Sequence, residues 1–192
     1  MSTRLTGGPL VDPISVPGWL ALLVRRTAEL GWADFGDDVG GDLGWISALR
    51  QPPPEGGRAA AVLVLFAEDA RTGEPDVLLA LRSDQLSSHA GQVCFPGGAV
   101  DDADDGPVAT ALREAGEEVG VRADDVRPVA VLPRLYLPPS DFVVTPVLGH
   151  WERPGPVAPV DHRETAAVAR VPLRVLADPV HRLMVRGSSG YP

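Results

Sequence analysis

The sequence predicts an α+β fold, arranged as an α/β/α sandwich in which helices cover a mixed β-sheet. Two apolar runs of strand length, residues 58–68 and 75–83, are separated by a short polar segment. One strongly marked helix follows at 107–120, and two further strand-like runs follow it at 126–133 and 142–151. Strands that come in sequence-adjacent groups around a single marked helix are typical of this layered arrangement.

The first 57 residues are expected to form an arm, a helix and a loop excursion that pack on the main domain. Gly and Pro are frequent in residues 1–16, which favours an irregular arm. Between residues 17 and 31, apolar side chains recur with a roughly helical spacing, and Pro17 stands where a helix tolerates proline. Residues 32–57 contain a run of prolines followed by paired glycines, so we expect a surface excursion there.

The two apolar runs at 58–68 and 75–83 are expected to pair as a long hairpin with both strands largely buried. Residues 134–141 are expected to form the turn between the last two strand-like runs. After a loop at 152–162, we expect a short strand ending near Val171 and then a helical turn.

Composition and charge exclude several classes of function. A chain of 192 residues fits one main domain, which we place at 58–192. The formal charge of -9 leaves no overall electrostatic footprint for nucleic acid or for an anionic membrane. All 17 basic residues are arginine, so mechanisms that need a lysine are excluded. We therefore expect neither a nucleic acid nor a membrane as a partner.

The sequence also indicates a compartment. Cys94 is the single cysteine, so no intramolecular disulfide can form. The N-terminus lacks the basic-then-apolar layout of a signal peptide, and no apolar run approaches the roughly 20 residues of a membrane span. We therefore expect a cytoplasmic protein.

Three glutamates gather on one side of the predicted helix at 107–120. Glu114, Glu117 and Glu118 are spaced i, i+3 and i+4, so they project within an arc of roughly 100°. Such carboxylates repel one another unless a partner neutralises them. Mg²⁺ or Mn²⁺ is the natural partner because these hard cations take oxygen ligands. Considered only as an acidic helical face, the same residues are more often a solvated surface.

Two neighbouring features point to a built site. Arg113 is expected to form an ion pair with an acid of the loop at 101–105, which would clamp that loop to the helix. Gly97 and Gly98 allow either a close backbone approach or a left-handed conformation, and their carbonyls are available to a metal.

The order of these features resembles the Nudix box, G-x5-E-x7-R-E-U-x-E-E-x-G-U, where U is apolar. Here Phe-Pro-Gly-Gly and an acidic loop precede Arg-Glu-Ala-Gly-Glu-Glu-Val-Gly-Val, which ends at Val121. Counting back from Arg113 places the box glycine on Ala99 and its first acid on Asp105, so the loop is one residue longer than the box. Whether Asp104 or Asp105 pairs with the arginine is left open.

The resemblance implies a Nudix fold and a metal-dependent hydrolase. It assigns Mg²⁺ or Mn²⁺ to Glu114, Glu117 and Glu118, with the Gly98 carbonyl as a further ligand. Glu164 corresponds loosely to an acid that many Nudix enzymes bring near the metals. Glu114 and Glu164 are the two candidates for the general base.

Residues 78–98 resemble a second signature, that of the coenzyme A diphosphatase branch, L-L-x-x-R-S-x-x-L-R-x-H-x-G-Q-V-x-F-P-G-G. The main departure is Ser87, where the signature has arginine. The resemblance implies substrate binding by Arg82, Ser83, His89, Gln92 and Phe95. Judged by chemistry alone, a histidine such as His89 is as often a packing or capping residue as a ligand-binding one. Gln92 and Phe95 are equally suited to supporting the loop and to contacting adenine.

The two resemblances together imply cleavage of the diphosphate of coenzyme A (CoA) or a CoA derivative to 3',5'-ADP and 4'-phosphopantetheine or its acylated form. One alternative is a Nudix diphosphatase for NADH, ADP-ribose or a nucleoside triphosphate, against which the second signature argues. Another is an idle regulatory domain that binds a nucleotide, against which the intact glutamate triad argues.

A homodimer is considered as the assembly. Family members usually continue beyond a Gly-rich turn such as 187–190, so truncation at Pro192 is considered as well.

Overall fold

Strands dominate the structure, a computed structural model that describes residues 7–30, 52, 56–86 and 90–181. Within these residues lie nine strands: β1 (Gly8–Pro9), β2 (Arg58–Glu68), β3 (Pro75–Arg82), β4 (Val93–Cys94), β5 (Gly97–Ala99), β6 (Val126–Val131), β7 (Leu135–Leu137), β8 (Phe142–Trp151) and β9 (Thr165–Pro172). The α-helices of the same ranges are α1 (Gly18–Arg26), α2 (Gly106–Val119) and α3 (Leu173–Ala177). None of the described helices has the length and apolar character needed to cross a membrane. Most of the predicted excursion at 32–57 lies outside the described residues.

The strand β2 lies at the centre of a mixed sheet. It pairs in parallel with β8 over nine positions, from Arg58 opposite Phe142 to Phe66 opposite His150. Its other edge pairs antiparallel with β3 and β5. Most of β2 is buried, and burial on both faces of a strand explains its nearly continuous apolar sequence. The predicted α+β class with a mixed sheet is confirmed.

The long hairpin predicted for the first two apolar runs is wrong in its length. β2 and β3 pair only next to their connecting turn, where residues 66–68 face residues 75–77. Further along, residues 60–62 of β2 pair with β5 instead, and β3 pairs with β4 and β9. The three-residue strand β5 thus occupies the edge of β2 that a longer hairpin would have used.

The turn predicted at 134–141 is only half right. Its first part is the strand β7, which pairs with β8. A short 3-10 helix at Pro138–Ser140 follows, and Asp141 then adopts a left-handed conformation with a φ of 56°. Three residues are too few for a strand alternation to show in the sequence. The predicted strand near Val171 and the helical turn after it are confirmed as β9 and α3.

The two faces of the sheet carry separate apolar clusters, because successive side chains of a strand point to opposite faces. Leu63 and Leu65 of β2 belong to the cluster under α2. Phe66, the next residue of the strand, belongs to the cluster under α1, where Leu20 and Val24 are fully buried. A helix from the N-terminal segment therefore supplies the second helical layer of the sandwich.

The N-terminal segment is fastened to the sheet at several points. β1 pairs with the strand β6, and the indole N–H of Trp19 donates to Glu68 at 2.8 Å. Arg127 donates to both the carbonyl and the hydroxyl of Ser15. The helix predicted at 17–31 is real but shorter, since α1 ends at Arg26.

Candidate active site

Two glycines of β5 bring the sheet into contact with the acidic helix. A Cβ on Gly97 would clash with the β2 backbone, at the carbonyl oxygen of Ala61 and at the Cα of Val62, 2.6 Å away. A Cβ on Gly98 would lie 2.5 Å from the carboxylate carbon of Glu114. Both glycines lie outside the positive-φ region. Of the two explanations that the sequence left open, close approach is therefore the one realised.

The glutamates predicted as metal ligands lie at different depths on α2. The side chain of Glu114 is 17% exposed, whereas that of Glu117 is 61% exposed. Glu118 is half-buried, and its Oε2 accepts a hydrogen bond of 3.1 Å from the N–H of Gly97. The same helix face therefore carries two carboxylates packed against β5 and one open to solvent.

Arg113 carries the positive charge that faces these carboxylates. Its Nε and NH2 donate to the two oxygens of Asp104 at 3.0 and 2.9 Å. NH2 also donates to the Ala99 carbonyl at 3.0 Å. NH1 donates to Glu114 at 2.9 Å and to Glu117 at 3.0 Å. All five N–H donors of the guanidinium are used, and these bonds, that to Asp104 first, raise the pKa of Arg113 above its ordinary value.

The acid that pairs with Arg113 is Asp104 and not Asp105. Its side chain is only 6% exposed, and its hydrogen bonds, that to the arginine first, hold its pKa well below the usual range. It also accepts from the N–H of Asp101 at 2.9 Å and from the hydroxyl of Thr110 at 2.8 Å. Asp105 is exposed. The predicted clamp between loop and helix is confirmed, whereas the contact with the threonine had no signal in the sequence.

The three glutamates suit a hard divalent cation in their chemistry, since Mg²⁺ and Mn²⁺ prefer carboxylate oxygens as ligands. Among the residues that the structure describes, however, no group of three His, Cys, Asp or Glu side chains is arranged to hold a metal ion. The hydrogen bonds give the reason. Arg113 joins Glu114 to Glu117, and Glu118 is turned toward Gly97. A cation at this site must therefore compete with these donors.

Burial raises the pKa values of the two inner glutamates. The pKa of Glu118 is raised to about 7, by burial first and also by the charges of Glu114 and Glu164, against the lowering effect of the Gly97 N–H. The pKa of Glu114 is also raised, by burial first, although Arg113 opposes the shift. A nearby positive charge would favour the ionised form of both carboxyl groups.

A second arginine lies beside the glutamates. Arg82 is the last residue of β3, and its charge acts to lower the pKa values of both Glu118 and Cys94. Its Nε is buried, and no acceptor for it lies within the described ranges. The pKa of Cys94 is nevertheless raised, by burial first and then by Glu118, which makes this thiol a poor nucleophile. The unpaired nitrogen of the arginine suits an anionic group of a ligand.

Glu164 reaches the same neighbourhood from the C-terminal part of the chain. Its carbonyl accepts a 2.9 Å hydrogen bond from the N–H of Ser83, where the beginning of β9 meets the end of β3. Its side chain is exposed, and its charge helps to raise the pKa of Glu118. The structure thus brings this acid near the triad, while its catalytic role stays a prediction.

The other residues predicted to bind substrate are placed differently from one another. Ser83 is buried, and its hydroxyl accepts from the N–H of Gln85 at 3.3 Å, a contact that closes a turn. Gln92 is exposed and Phe95 is 36% exposed. His89 lies outside the described residues. Substrate binding by these residues stays a prediction.

Comparison with known proteins places this site in a family context. The family model described as the NUDIX domain matches residues 57–186, which is more than half of the chain. The match includes both glycines of β5, the helix α2 and Glu164, and it begins after α1.

Curated relatives carry the name uncharacterized Nudix hydrolase NudL. The one from Klebsiella aerogenes is 47% identical over 97 residues, which are 50% of this chain and 78% of the relative. The one from Cronobacter sakazakii is 46% identical over 122 residues, 60% of this chain and 58% of the relative. The one from Citrobacter koseri is 49% identical over 92 residues, 48% of this chain and 46% of the relative. The match thus spans about half the length of the last two relatives.

Solved structures show the same fold. A Nudix hydrolase from M. smegmatis, RenU, superposes with a TM-score of 0.52 at 25% identity, over 65% of this chain and 76% of that one. A C. elegans Ap4A hydrolase superposes with a TM-score of 0.50 at 21% identity, over 62% of this chain and 82% of that one. At such low identity, these structures speak for the fold alone.

Proposed function

Because the chain belongs to the Nudix family, we propose that it is a metal-dependent hydrolase that cleaves the diphosphate bond of CoA or a CoA derivative. The observation that carries the proposal is the position of the described parts of residues 78–98, the segment that resembles the CoA diphosphatase signature. These parts, residues 78–86 and 90–98, include the end of β3, all of β4 and the start of β5. They meet the glutamates at both ends, with Arg82 beside Glu118 and Gly98 against Glu114.

We propose that Glu114, Glu117 and Glu118 hold Mg²⁺ or Mn²⁺, together with the Gly98 carbonyl. When bound, such an ion supplies Lewis-acid activation and neutralises charge on a diphosphate. The chain itself fixes the carboxylates, through the guanidinium of Arg113 and through the backbone of β5.

Arg82 is proposed to bind a phosphate oxygen of the substrate. Its buried Nε has no acceptor among the described residues, and a guanidinium is well suited to a charged phosphate. The charge of Arg82 also favours the ionised form of the neighbouring Glu118, so the same side chain can act on both the carboxylate and the substrate.

Glu114 and Glu164 remain the two candidates for the general base. Glu114 is oriented by Arg113 and lies against Gly98. Glu164 is exposed and electrostatically coupled to Glu118. The pH profile of kcat in the Glu114→Gln and Glu164→Gln variants would separate them, because removal of the base abolishes the acidic limb of the profile.

The test of the function is product analysis by chromatography. The purified protein is incubated separately with CoA, NADH, ADP-ribose and dGTP, each with Mg²⁺, with Mn²⁺ and with excess chelator. We expect 3',5'-ADP from CoA, formed only when a metal is present. The proposal is consistent with a small-molecule partner, while a homodimer and a cytoplasmic location stay predictions of the sequence.

Each other outcome has a definite meaning. Metal-dependent turnover of NADH, ADP-ribose or dGTP with CoA left intact would keep the hydrolase and reject the CoA assignment. If none of the four compounds is cleaved but one of them binds, the domain acts as a nucleotide-binding module instead.

A further inference from the structure

The site helix carries a buried polar side chain that the proposed function leaves unused. Thr110 of α2 is fully buried, and its Oγ1 lies 2.8 Å from Asp104 Oδ2 and 3.3 Å from the carbonyl oxygen of Gly106. A helical threonine commonly donates to the carbonyl four residues earlier. Here the carboxylate is the closer acceptor and, being charged, the stronger one. The hydroxyl hydrogen is therefore directed away from the helix and toward the loop.

The carboxylate that receives this bond is enclosed by donors. Oδ1 of Asp104 accepts from Arg113 Nε, and Oδ2 accepts from Arg113 NH2, from the Asp101 N–H and from Thr110. Since the side chain is only 6% exposed, these donors replace most of its water. Two of these donors are neutral. The Thr110 hydroxyl is held in the core, and the Asp101 N–H is part of the loop backbone. They set the orientation in which the carboxylate meets the guanidinium.

The orientation of Arg113 in turn reaches the glutamates. Its Nε and NH2 are committed to Asp104 and the Ala99 carbonyl, which leaves NH1 for Glu114 and Glu117. Because the guanidinium is planar and rigid, a rotation at one edge moves the opposite edge as well. A change at the aspartate is therefore transmitted to both glutamates.

We infer that Thr110 is a positioning residue of the site: its hydroxyl sets the carboxylate of Asp104, which in turn sets the guanidinium of Arg113. The inference rests on the proposed function, in which Glu114 and Glu117 are metal ligands. Thr110 contacts neither glutamate and acts through two other side chains.

The chain offers a clean set of variants. Thr110→Val keeps the branched shape and removes the donor, whereas Thr110→Ser keeps the donor and removes a methyl group. Thr27 provides the matched control, because it is another buried threonine, its hydroxyl donates to the Val24 carbonyl at 2.7 Å, and it follows α1 on the other side of the sheet. Thr27→Val therefore removes a comparable hydrogen bond away from the site.

The experiment measures Mn²⁺ binding by calorimetry, thermal stability, and kcat and KM on the compound that the protein hydrolyses. We expect Thr110→Val to lower kcat about tenfold and to raise the Kd of Mn²⁺ several-fold, because small displacements of catalytic groups are costly in rate. KM should stay close to the wild-type value. Thr110→Ser should restore kcat to within about twofold. Thr27→Val should lower the Tm and leave kcat and the Kd of Mn²⁺ unchanged.

A purely structural role of Thr110 predicts different results. If Thr110→Val lowers only the Tm, as Thr27→Val does, and binds Mn²⁺ like the wild type, the positioning role is rejected. The same holds if Thr110→Ser is as impaired as Thr110→Val, since the hydroxyl would then not be the active group.

A failure of the proposed function can be told apart from a failure of this inference. If the wild type neither binds Mn²⁺ nor hydrolyses any compound, the proposed function falls. The positioning of Arg113 is then read from the NMR resonance of its Nε–H group. A shift of that resonance in Thr110→Val, and none in Thr27→Val, supports the inference, whereas an unchanged resonance in both variants overturns it.

Discussion

A single methyl group added at Gly98 would reach a catalytic candidate. The carboxylate of Glu114 lies where a Cβ would stand, with both of its oxygens 2.6 Å from that point. The neighbouring Gly97 has a different reason to lack a side chain, since its Cβ would meet the backbone of β2. Adjacent glycines thus serve the site and the sheet separately.

Gly98→Ala should therefore impair function more than folding. The added methyl group displaces the Glu114 side chain, which is able to move, so kcat is expected to fall about 100-fold with a small change in Tm. Gly97→Ala should instead lower the Tm strongly, because the backbone of β2 cannot yield as a side chain can. Steady-state kinetics and thermal melts of the two variants check this. Equal loss of stability in both would contradict it.

Glu117→Gln should remove metal-dependent turnover and keep the fold. The substitution removes a negative charge that is 61% exposed and makes one bond to Arg113, so little stability depends on it. We expect kcat to fall about 100-fold or more, as is usual when a group that stabilises charge in the transition state is lost. Glu29→Gln, at an exposed position after α1, is the control. Wild-type rates in Glu117→Gln would remove this residue from the ligand set.

At the scale of elements, the sequence predicts the long strands, whose apolar residues form an extended pattern. It misses the short strands, which exist only because they pair with another segment of the chain. The bounds of β2 and β8 were predicted correctly because both are long apolar runs. The strands β5 and β7 were missed because three residues show no alternation. The hairpin was overextended for the same reason, since the sequence contains no sign that β5 pairs with β2.

The loop before α2 is held to the helix by an ion pair whose strength depends on pH. Hydrogen bonds to Arg113 and its neighbours hold the pKa of Asp104 below the ordinary value of about 3.9. The folded state therefore binds this proton less readily than the unfolded state does. The stabilisation is fully present above the ordinary pKa and is lost as the pH falls from there through the lower pKa of the folded state.

Asp104→Asn should accordingly be less stable than the wild type at pH 7, and the difference should shrink below about pH 4. Thermal melts of both proteins between pH 7 and pH 3 measure it. Asp102→Asn, at an exposed position of the same loop, serves as control. A difference that stays constant over this pH range would show that the charge of Asp104 does not contribute.

The site was predictable to the extent that its residues lie in one continuous motif. The spacing of the glutamates and the ion pair of Arg113 followed from the sequence. The choice of Asp104 over Asp105 did not, because two adjacent acids differ only in how the loop bends. The contact from Thr110 to Asp104 was equally invisible, since a threonine in a helix gives no indication of which acceptor its hydroxyl takes.

For the molecule as a whole, the folded domain includes residues that lie N-terminal to the family match. The match begins at residue 57, whereas the second helical layer is α1. Leu20 and Val24 of that helix are fully buried against a cluster that includes Phe66 and Leu148. The N-terminal segment is thus a structural part of the domain.

Leu20→Ala should lower the free energy of unfolding by about 3 kcal/mol, the usual effect of emptying a core leucine site. Leu22→Ala provides the control on the same helix, because Leu22 is exposed and its loss should change stability by no more than about 0.5 kcal/mol. Urea denaturation of both variants gives the two values. Equal stability of the two variants would show that α1 does not cover the sheet in solution.

The parallel pairing of β2 with β8 also has a consequence for how the molecule is made. It joins residues 58–66 to residues 142–150, so the central pair closes a long stretch of chain before its contacts are gained. β5 and α2, by contrast, are neighbours in the sequence and can meet early. A chain leaving the ribosome therefore presents its acidic helix while one edge of β2 still waits for β8. During that interval of synthesis the unpaired edge of this apolar strand is open to aggregation.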